Sequence, residues 1–296
     1  MTPLAAPFSA DYGLEHRIFW SIRVPRVLAA FLAGSMLSLG GACFQALFRN
    51  SLATPYTLGV SSGAALGVTT AVWLGASFSI AGQSAMSLAA FIGAAGAAAL
   101  VFAISKWRSN GSTETMLLAG VAVSFFFSSI IMFIQYIGSH TDLFRVMRWM
   151  MGGLETTGYK DLLLLAPLSA AAAIVLMLHI PELDLLSVGE DFAASRGVNV
   201  AICKITVFLS VSLMVGAVVA FCGPIGFVGM VCPHICRRIC GAANKILAPA
   251  SFLFGGAFLV VCDTFGRTIA SPIEIPVGIV TALIGGPFFL WLLCKK

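Results

Sequence analysis

The sequence predicts an all-α membrane protein: a polytopic bundle of about nine transmembrane helices that forms a single domain over residues 1–296. Hydrophobic residues make up 59% of the chain and charged residues only 10%, whereas soluble domains average roughly 25% charged residues. Mean hydropathy is +1.00, and most of the chain divides into long apolar runs. The net charge of +5 lies mainly in short loops, as is typical of membrane topology, and does not indicate nucleic-acid binding.

The predicted spans are separated by short polar stretches that set their boundaries. Residues 1–26 form a polar N-terminal segment without the pattern of a cleavable signal peptide. The charge-free sequence from Asn50 to Ser105 is long enough for two spans with a break near Gly82, because about 20 residues cross the hydrocarbon core. The predicted spans are residues 27–48, 58–75, 84–105, 115–137, 162–180, 205–222, 225–236, 247–269 and 277–293.

Basic stretches orient these spans in the membrane. Positive charge is concentrated in the loop from Lys106 to Gly111, in Arg237–Arg238 and in Lys295–Lys296, and positively charged loops remain on the cytoplasmic side. Nine spans with a cytoplasmic C-terminus place the N-terminus on the outer side. The segment from Arg145 to Tyr159 is then expected to be amphipathic and to lie at the outer surface.

Glycine spacing predicts close helix packing and a repeated architecture. Gly63 and Gly67 form a small-residue motif that lets two helix backbones approach closely. Gly/Pro-rich interruptions follow the first span, at residues 49–67, and a later span, at residues 223–233. Paired interruptions in the two halves of a chain are typical of inverted repeats around a central path.

The stretch from Leu185 to Val200 separates two apolar runs and carries its own helix signals. Ser187 and Glu190 have the spacing of a capping box, and Gly197 stands where a helix commonly ends. The predicted helix has about two and a half turns, too short to cross a bilayer. We expect it to pack against a soluble partner, although periodicity alone favours an ordinary surface helix.

The eight cysteines lie mostly in apolar segments and are interpreted as small buried residues rather than as a disulfide framework. Cys232, Cys236 and Cys240, with His234 nearby, could form a soft-metal site. A packing stripe is the preferred interpretation, because His234 points off the cysteine face, so no metal or cofactor is predicted. His16, His140 and His179 are interpreted as isolated interface residues, and no catalytic constellation is found.

Five stretches of the sequence closely resemble a known family over residues 20–296. They are similar to the permease subunits of bacterial ATP-binding-cassette (ABC) importers for iron–siderophores, haem and cobalamin, the FecCD-type permeases of type II importers. The stretches are RVPRVLAAFLAGSMLSLGGACFQALFRNSLATPYTLGVSSGAALG, GEDFAASRGVNV, GPIGFVGMVCPHICRR, DTFGR and EIPVGIVTALIGGPFFLWLL. Two features differ: the family usually has ten spans, the first of them before the Arg23-Val-Pro-Arg26 motif, and it usually has proline in place of Ser51.

The resemblance implies a homodimer in the bacterial inner membrane with a translocation path on its two-fold axis. Two cytoplasmic ATPase subunits and a periplasmic substrate-binding protein would be its partners. The sequence itself is consistent with a separate ATPase, because it contains no G-x-x-x-x-G-K-[ST] phosphate loop. The chain is therefore expected to be a non-catalytic permease subunit that depends on a separate ATPase.

The resemblance also implies roles for particular residues. The ATPase-coupling helix would comprise Glu190, Asp191, Phe192, Ser195, Arg196 and Gly197. Docking of the binding protein would use Arg23, Arg26 and Arg267, and the cytoplasmic gate would include Ser112 and Thr113.

Each docking or gate residue also has a structural interpretation. Arg23 and Arg26 could simply extend to the lipid headgroups, although Pro25 predicts an extended Val24 that limits burial of both. Asp263 and Arg267 have the i, i+4 spacing of an ion pair. Ser112 or Thr113 could be a helix N-cap.

The predicted function is uptake of a metal chelate by alternating access, with iron–siderophore or haem first and cobalamin next. An ion-coupled secondary transporter of a small organic solute is the alternative, and Asp263 would then be its candidate coupling acid. A channel finds little support, because no ring of charges or carbonyls is evident.

Overall fold

The computed structural model describes residues 14–76, 79–80, 83–109, 111–154 and 159–294. Several predicted features lie outside these ranges: residues 1–13 of the polar N-terminal segment, the break at Gly82, the last residues before Tyr159 and the C-terminal lysine pair. Within the described ranges the chain is almost entirely helical, which confirms the predicted all-α class.

The helices follow one another with few intervening residues. Two short antiparallel strands pair, β1 (Ser79–Ile80) with β2 (Gln83–Ser84). A π-helical turn at Phe19–Arg23 joins the first two helices. The helices are α1 Leu14–Ile18, α2 Val24–Leu47, α3 Val60–Trp73, α4 Ala85–Ser109, α5 Thr113–Ile137, α6 His140–Met150, α7 Tyr159–Leu178, α8 Ile180–Val188, α9 Glu190–Ser195, α10 Val200–Cys222, α11 Val228–Cys240, α12 Asn244–Thr268 and α13 Val277–Cys294.

Each of the nine predicted spans contains a helix, but the helices differ in length. Within the described residues, six are long and apolar enough to cross a membrane: His16–Leu47, Ala85–Arg108, Thr113–Ile137, Tyr159–Leu178, Val200–Cys222 and Asn244–Thr268. Two more, α3 and α13, are shorter apolar helices, and α11 has 13 residues. The amphipathic helix α6 begins at His140, five residues before the predicted start.

The first span begins earlier than predicted, because the helix continues through Pro25. Val24 has helical angles of φ −61° and ψ −52°, and its N–H donates to the carbonyl of Phe19. The expectation that Val24 would be extended is therefore wrong. A proline ring normally clashes with the carbonyl four residues earlier, and the wider π turn before Pro25 relieves that clash.

Helix α2 is the buried centre of the bundle and packs against α12 with almost no side chain between them. A Cβ atom built on Gly34 would lie 2.6 Å from the Cβ of Leu259, and one on Gly255 would lie 2.6 Å from the carbonyl oxygen of Gly34. Contacts this short exclude any larger residue. Gly41 and Gly229 bring α2 equally close to α11.

The two predicted interruptions are present, and each precedes a helix that starts inside the bundle. Leu58 lies against Gly120 of α5, one residue before the left-handed Gly59 that precedes α3. Phe227 adopts an unusual left-handed φ of 66° just before α11. Both segments line one small, partly open cavity, bordered by Leu37, Thr54, Pro55, Tyr56, Ser61, Val215, Val219, Ile225, Phe227 and Gly229.

The small-residue motif of α3 packs as predicted. An added Cβ on Gly63 or Gly67 would collide with the backbone carbonyl of Gly93 or Ala89 on α4, respectively. In turn, an added Cβ on Gly93 would collide with the carbonyl of Gly63. The pair α3–α4 is therefore held together by direct backbone contact.

Replacing Gly93 with alanine should destabilise the protein, because the new methyl group has no space between α3 and α4. We expect a loss of about 1–3 kcal/mol, as is typical of overpacked sites, measured as a lower thermal unfolding midpoint in detergent. Gly96 is the matched control, since a Cβ there meets nothing within 4 Å. Equal midpoints for Gly93→Ala and Gly96→Ala would contradict this packing.

Candidate functional site

The candidate residues lie at two opposite ends of the bundle. Helix α12 carries Asn244 at its start and Asp263 near its end, about 29 Å apart at the usual helical rise. The backbone N–H of Asn244 donates to Asp184 of α8, at 2.7 Å. Asp263 contacts Arg26 at the start of α2. We call these two regions the α9 end and the Arg26 end.

At the α9 end, the short helix α9 has six residues, less than two turns. The predicted capping box does not form, because Ser187 belongs to the last turn of α8 and its hydroxyl donates to the carbonyl of Asp184, at 2.6 Å. Gly189 separates the two helices. Gly197 lies just beyond α9 with a φ of +87°, the left-handed conformation predicted for a terminating glycine.

Two interactions attach α9 to the bundle. Ala193 is completely buried, which fixes the inner side of the helix. Glu190 accepts a hydrogen bond from Lys204 of α10 at 2.7 Å, in an ion pair whose lysine is largely buried. Lys204 was not identified from the sequence, since nothing in its local pattern indicates a partner 14 residues away.

The other side of α9 faces outward and carries an apolar residue. Phe192 is 40% exposed, and the guanidinium of Arg196 lies 5.4 Å from the centre of its ring. Asp191 and Ser195 are exposed as well, and the hydroxyl of Ser195 donates to the carbonyl of Phe192. The helix therefore presents a mixed apolar and charged surface on a short, firmly attached support.

Ser112 and Thr113 also lie at the α9 end. Helices α4 and α10 run antiparallel, as Ala94 packs against Gly216 and Phe102 stacks on Phe208 at 6.5 Å. Consequently, the residues after α4 are level with the start of α10. The hydroxyl of Ser112 accepts a hydrogen bond from the N–H of Thr115, which confirms the predicted N-cap, and Thr113 is buried.

At the Arg26 end, two arginines and two acids form a connected cluster. Arg26 reaches Asp263 at 2.9 Å and Glu274 at 2.7 Å. Arg267 reaches the second oxygen of Asp263 at 3.1 Å, which confirms the predicted i, i+4 pair. Asp263 is only 3% exposed, and it joins the start of α2 to the end of α12.

The two arginines of the Arg23-Val-Pro-Arg26 motif have different environments. The side chain of Arg26 is only 11% exposed, so the expectation that both would remain unburied is wrong for this residue. The continuous helix turns Arg26 inward towards α12. Arg23 is exposed, and the described part of the chain provides it with no ion-pair partner.

His179, interpreted from the sequence as isolated, has close polar neighbours. Its Nδ1 lies 2.7 Å from Glu182, and His179, Glu182 and Cys203 bring their donor atoms within 4.8 Å of one another. No other group of this kind occurs in the described ranges. In the predicted cysteine stripe, Cys232 and Cys236 are buried and Cys240 is exposed.

Comparison with known proteins identifies the family. Residues 2–295 match the model of the FecCD transport family. The chain belongs to that family. It is therefore a multi-pass ABC-transporter permease subunit; it is not catalytic, and the ATPase is a separate subunit.

Several import-system permeases are similar to this chain over nearly its whole length. The hemin transport system permease of Yersinia pestis is 38% identical, and the alignment covers 94% of this chain and 84% of that protein. The cobalamin import permease of Halobacterium salinarum is 40% identical, with 93% and 73% covered. The Fe(3+)-citrate import permease of Bacillus subtilis is 38% identical, with 97% and 84% covered.

A solved structure has the same fold. It is described as an inward-facing conformation of a metal-chelate type ABC transporter, and its chain superimposes on this permease with a TM-score of 0.86 at 32% identity. The match covers 99% of the permease and 94% of that chain. ATPase and substrate-binding protein partners follow from membership of this family.

Replacing Asp263 with asparagine should destabilise the permease, because Arg267 loses its partner and Arg26 keeps only the half-exposed Glu274. We expect a loss of about 3 kcal/mol, as for the breaking of a buried ion pair. Glu274→Gln is the control and should cost less than about 1 kcal/mol, as for an exposed pair. Thermal unfolding in detergent compares the two variants, and equal losses would contradict the central place of Asp263.

Proposed function

We propose that this permease imports a bulky metal chelate across the bacterial inner membrane, as a homodimer coupled to two ATPase subunits. The supporting observation is α9, a short outward-facing helix joined to the long helix α10 through the Glu190–Lys204 ion pair. The curated relatives are named for hemin, cobalamin and ferric citrate. All three are metal complexes, so we assign the same substrate class, with iron–siderophore or haem first and cobalamin next.

Coupling to the ATPase would begin at Phe192. A half-exposed aromatic ring on a rigid helix is well suited to fill an apolar groove on a partner, and Asp191 beside it would set the orientation. Movement of the partner would then displace α9 as a unit. The displacement would pass to α10 through Glu190 and Lys204, and α10 packs against both α2 and α4.

The gate is assigned to the loop that precedes α5. Ser112 and Thr113 lie at the same end of the bundle as α9, so a movement of the ATPases would act close to both. Small hydroxyl side chains can pack tightly against each other across a two-fold axis. They also offer a passing chelate no strong binding site, which suits a gate that must release its cargo.

Docking of the substrate-binding protein is assigned mainly to Arg23. This residue is exposed at the Arg26 end and has no acidic partner in the described chain, so its charge is available to a carboxylate on another protein. Arg26 and Arg267 are already paired with Asp263. They would fix the start of α2, next to Arg23, against α12, and would contribute less to the docking contact itself.

The ion-coupled transporter is the weaker alternative. A coupling acid must exchange its proton or ion during transport, which requires it to stand without a permanent counter-charge. Asp263 is held by two arginines. The geometry therefore supports a structural role for this acid, and the driving force is assigned to ATP.

Exchanging the charges of Glu190 and Lys204 tests the coupling route. Glu190→Lys or Lys204→Glu alone replaces the 2.7 Å ion pair with two like charges and should reduce ATP-driven uptake at least severalfold. The double variant restores an opposite pair and should recover most of the activity. Uptake is measured in liposomes that contain the permease, its ATPase and its binding protein.

Two results would contradict the proposal. If both single variants transported at the parental rate, α9 would not act through Lys204. Uptake without ATP, driven by a proton or sodium gradient across liposomes that contain the permease alone, would support the secondary transporter instead.

Replacing Arg23 with glutamate should weaken docking of the binding protein by about tenfold or more, because a like charge then faces its carboxylates. The parental affinity should fall with added salt, as exposed charges are screened over about 8–10 Å. The exposed Arg108, at the end of α4, provides the control, because Arg108→Glu makes the same charge change at the α9 end. Binding of the purified periplasmic protein to reconstituted permease measures both effects, and unchanged affinity in Arg23→Glu would assign that residue to the lipid headgroups.

A further inference from the structure

Three side chains from separate places in the sequence converge at the α9 end. His179 joins α7 to α8, Glu182 lies in the first turn of α8, and Cys203 lies in the first turn of α10. The imidazole Nδ1, a carboxylate oxygen and the thiol sulfur all lie within 4.8 Å of one another. We propose that His179, Glu182 and Cys203 bind a borderline divalent transition-metal ion such as Zn²⁺.

The donor set fits this class of ion. Imidazole nitrogen, carboxylate oxygen and thiolate sulfur are the three ligand types of protein zinc sites. A thiolate and an imidazole disfavour Mg²⁺ and Ca²⁺, which prefer oxygen ligands. Three protein ligands leave one tetrahedral position open for water.

Local structure holds the three donors in place. The backbone carbonyl of His179 accepts from the N–H of Leu183 at 2.9 Å, so His179 and Glu182 are one helical turn apart and face the same side. The N–H of Cys203 donates to the carbonyl of Asn199 at 2.9 Å, and the Asn199 side chain caps α10. The start of α8 and the capped start of α10 therefore meet, with Cys203 only 1% exposed between them.

Metal binding requires a small rearrangement that the site permits. His179 and Glu182 are now 2.7 Å apart, whereas tetrahedral ligands at about 2.0–2.1 Å from zinc lie roughly 3.3 Å from each other. Both side chains are partly exposed and can separate by that amount. As the metal–ligand bonds form, the ring hydrogen of His179 moves from Nδ1 to Nε2 by exchange with solvent, so the imidazole stays neutral. The Cys203 thiol loses its proton to solvent.

The carboxylate and the thiol start from different states. Burial disfavours the charge of Glu182, but hydrogen bonds from His179 and Cys203 outweigh this effect and lower the pKa of Glu182. Burial and the neighbouring Glu182 raise the pKa of the Cys203 thiol to about 12, so the metal must displace the thiol proton, as a coordinated ion does.

The position of the site gives metal binding a structural consequence. Cys203 precedes Lys204, whose ion pair with Glu190 attaches α9 to α10. A metal bound by His179, Glu182 and Cys203 would join α8 to α10 next to that attachment and would stiffen the support of α9. This consequence rests on the proposed function, whereas metal binding itself does not.

Cobalt(II) is the probe, because a thiolate ligand to Co²⁺ produces a charge-transfer absorption in the near ultraviolet that carboxylate and imidazole do not. The full-length permease in detergent is treated with a chelator, freed of it and titrated with Co²⁺. We expect about one Co²⁺ per chain with a thiolate band. Cys203→Ser should abolish that band, and His179→Gln should weaken binding at least tenfold, since losing even an outer partner of a ligand costs about 10–100-fold.

The double variant Cys240→Ser with Cys294→Ser is the matched control, because it removes the two cysteines that the structure shows as exposed. It should keep the thiolate band. The proposal is overturned if the parent shows no thiolate band, if the band persists in Cys203→Ser, or if it disappears in the control. None of these measurements involves ATP or transport, so a failure here leaves the proposed function standing, and a failure of transport leaves this site standing.

Discussion

The close contact between α2 and α12 is the constraint on which the rest of the structure depends. Gly34 and Gly255 allow the two backbones to touch, so α2 can lie buried in the middle of the bundle. The same pair of helices carries polar connections at both of its ends: Arg26 with Asp263 at one, and Asn244 with Asp184 of α8 at the other. The surface assigned to the binding protein and the surface assigned to the ATPase are thus supported by one rigid unit.

Much of this architecture could be predicted from the sequence, because the signals are local. Apolar runs predicted a helix in each of the nine spans, six of them long enough to cross a membrane. The spacing of Gly63 and Gly67 predicted their close packing, and the i, i+4 spacing predicted the Asp263–Arg267 pair. Contacts between distant parts of the chain have no such signal. Arg26 and Asp263 are separated by 237 residues, so the burial of Arg26 became evident only once α2 and α12 were seen side by side.

Two local predictions were wrong because a neighbouring residue imposed a stronger preference. Ser187 has the spacing of a helix cap, but helix α8 ends only at Gly189, two residues later, so Ser187 lies inside that helix. Pro25 normally favours an extended residue before it, but the π turn provides the room that the proline ring needs. The convergence of His179, Glu182 and Cys203 was missed for a third reason: the His179–Glu182 spacing is visible in the sequence, but Cys203 joins the pair only through tertiary packing.

The two helices that begin inside the bundle have a consequence for where free backbone N–H groups lie in the protein. The first turn of any helix leaves backbone N–H groups without intrahelical acceptors, and in hydrocarbon each such group would cost several kcal/mol. In the described structure, the starts of α3 and α11 border the same small cavity, so these groups are concentrated at one depth and kept away from lipid. Protein surrounds these helix starts, since Val60 and Val228 at the two positions are fully buried, and this is what lets α3 and α11 begin within the bundle without exposing free N–H groups to hydrocarbon.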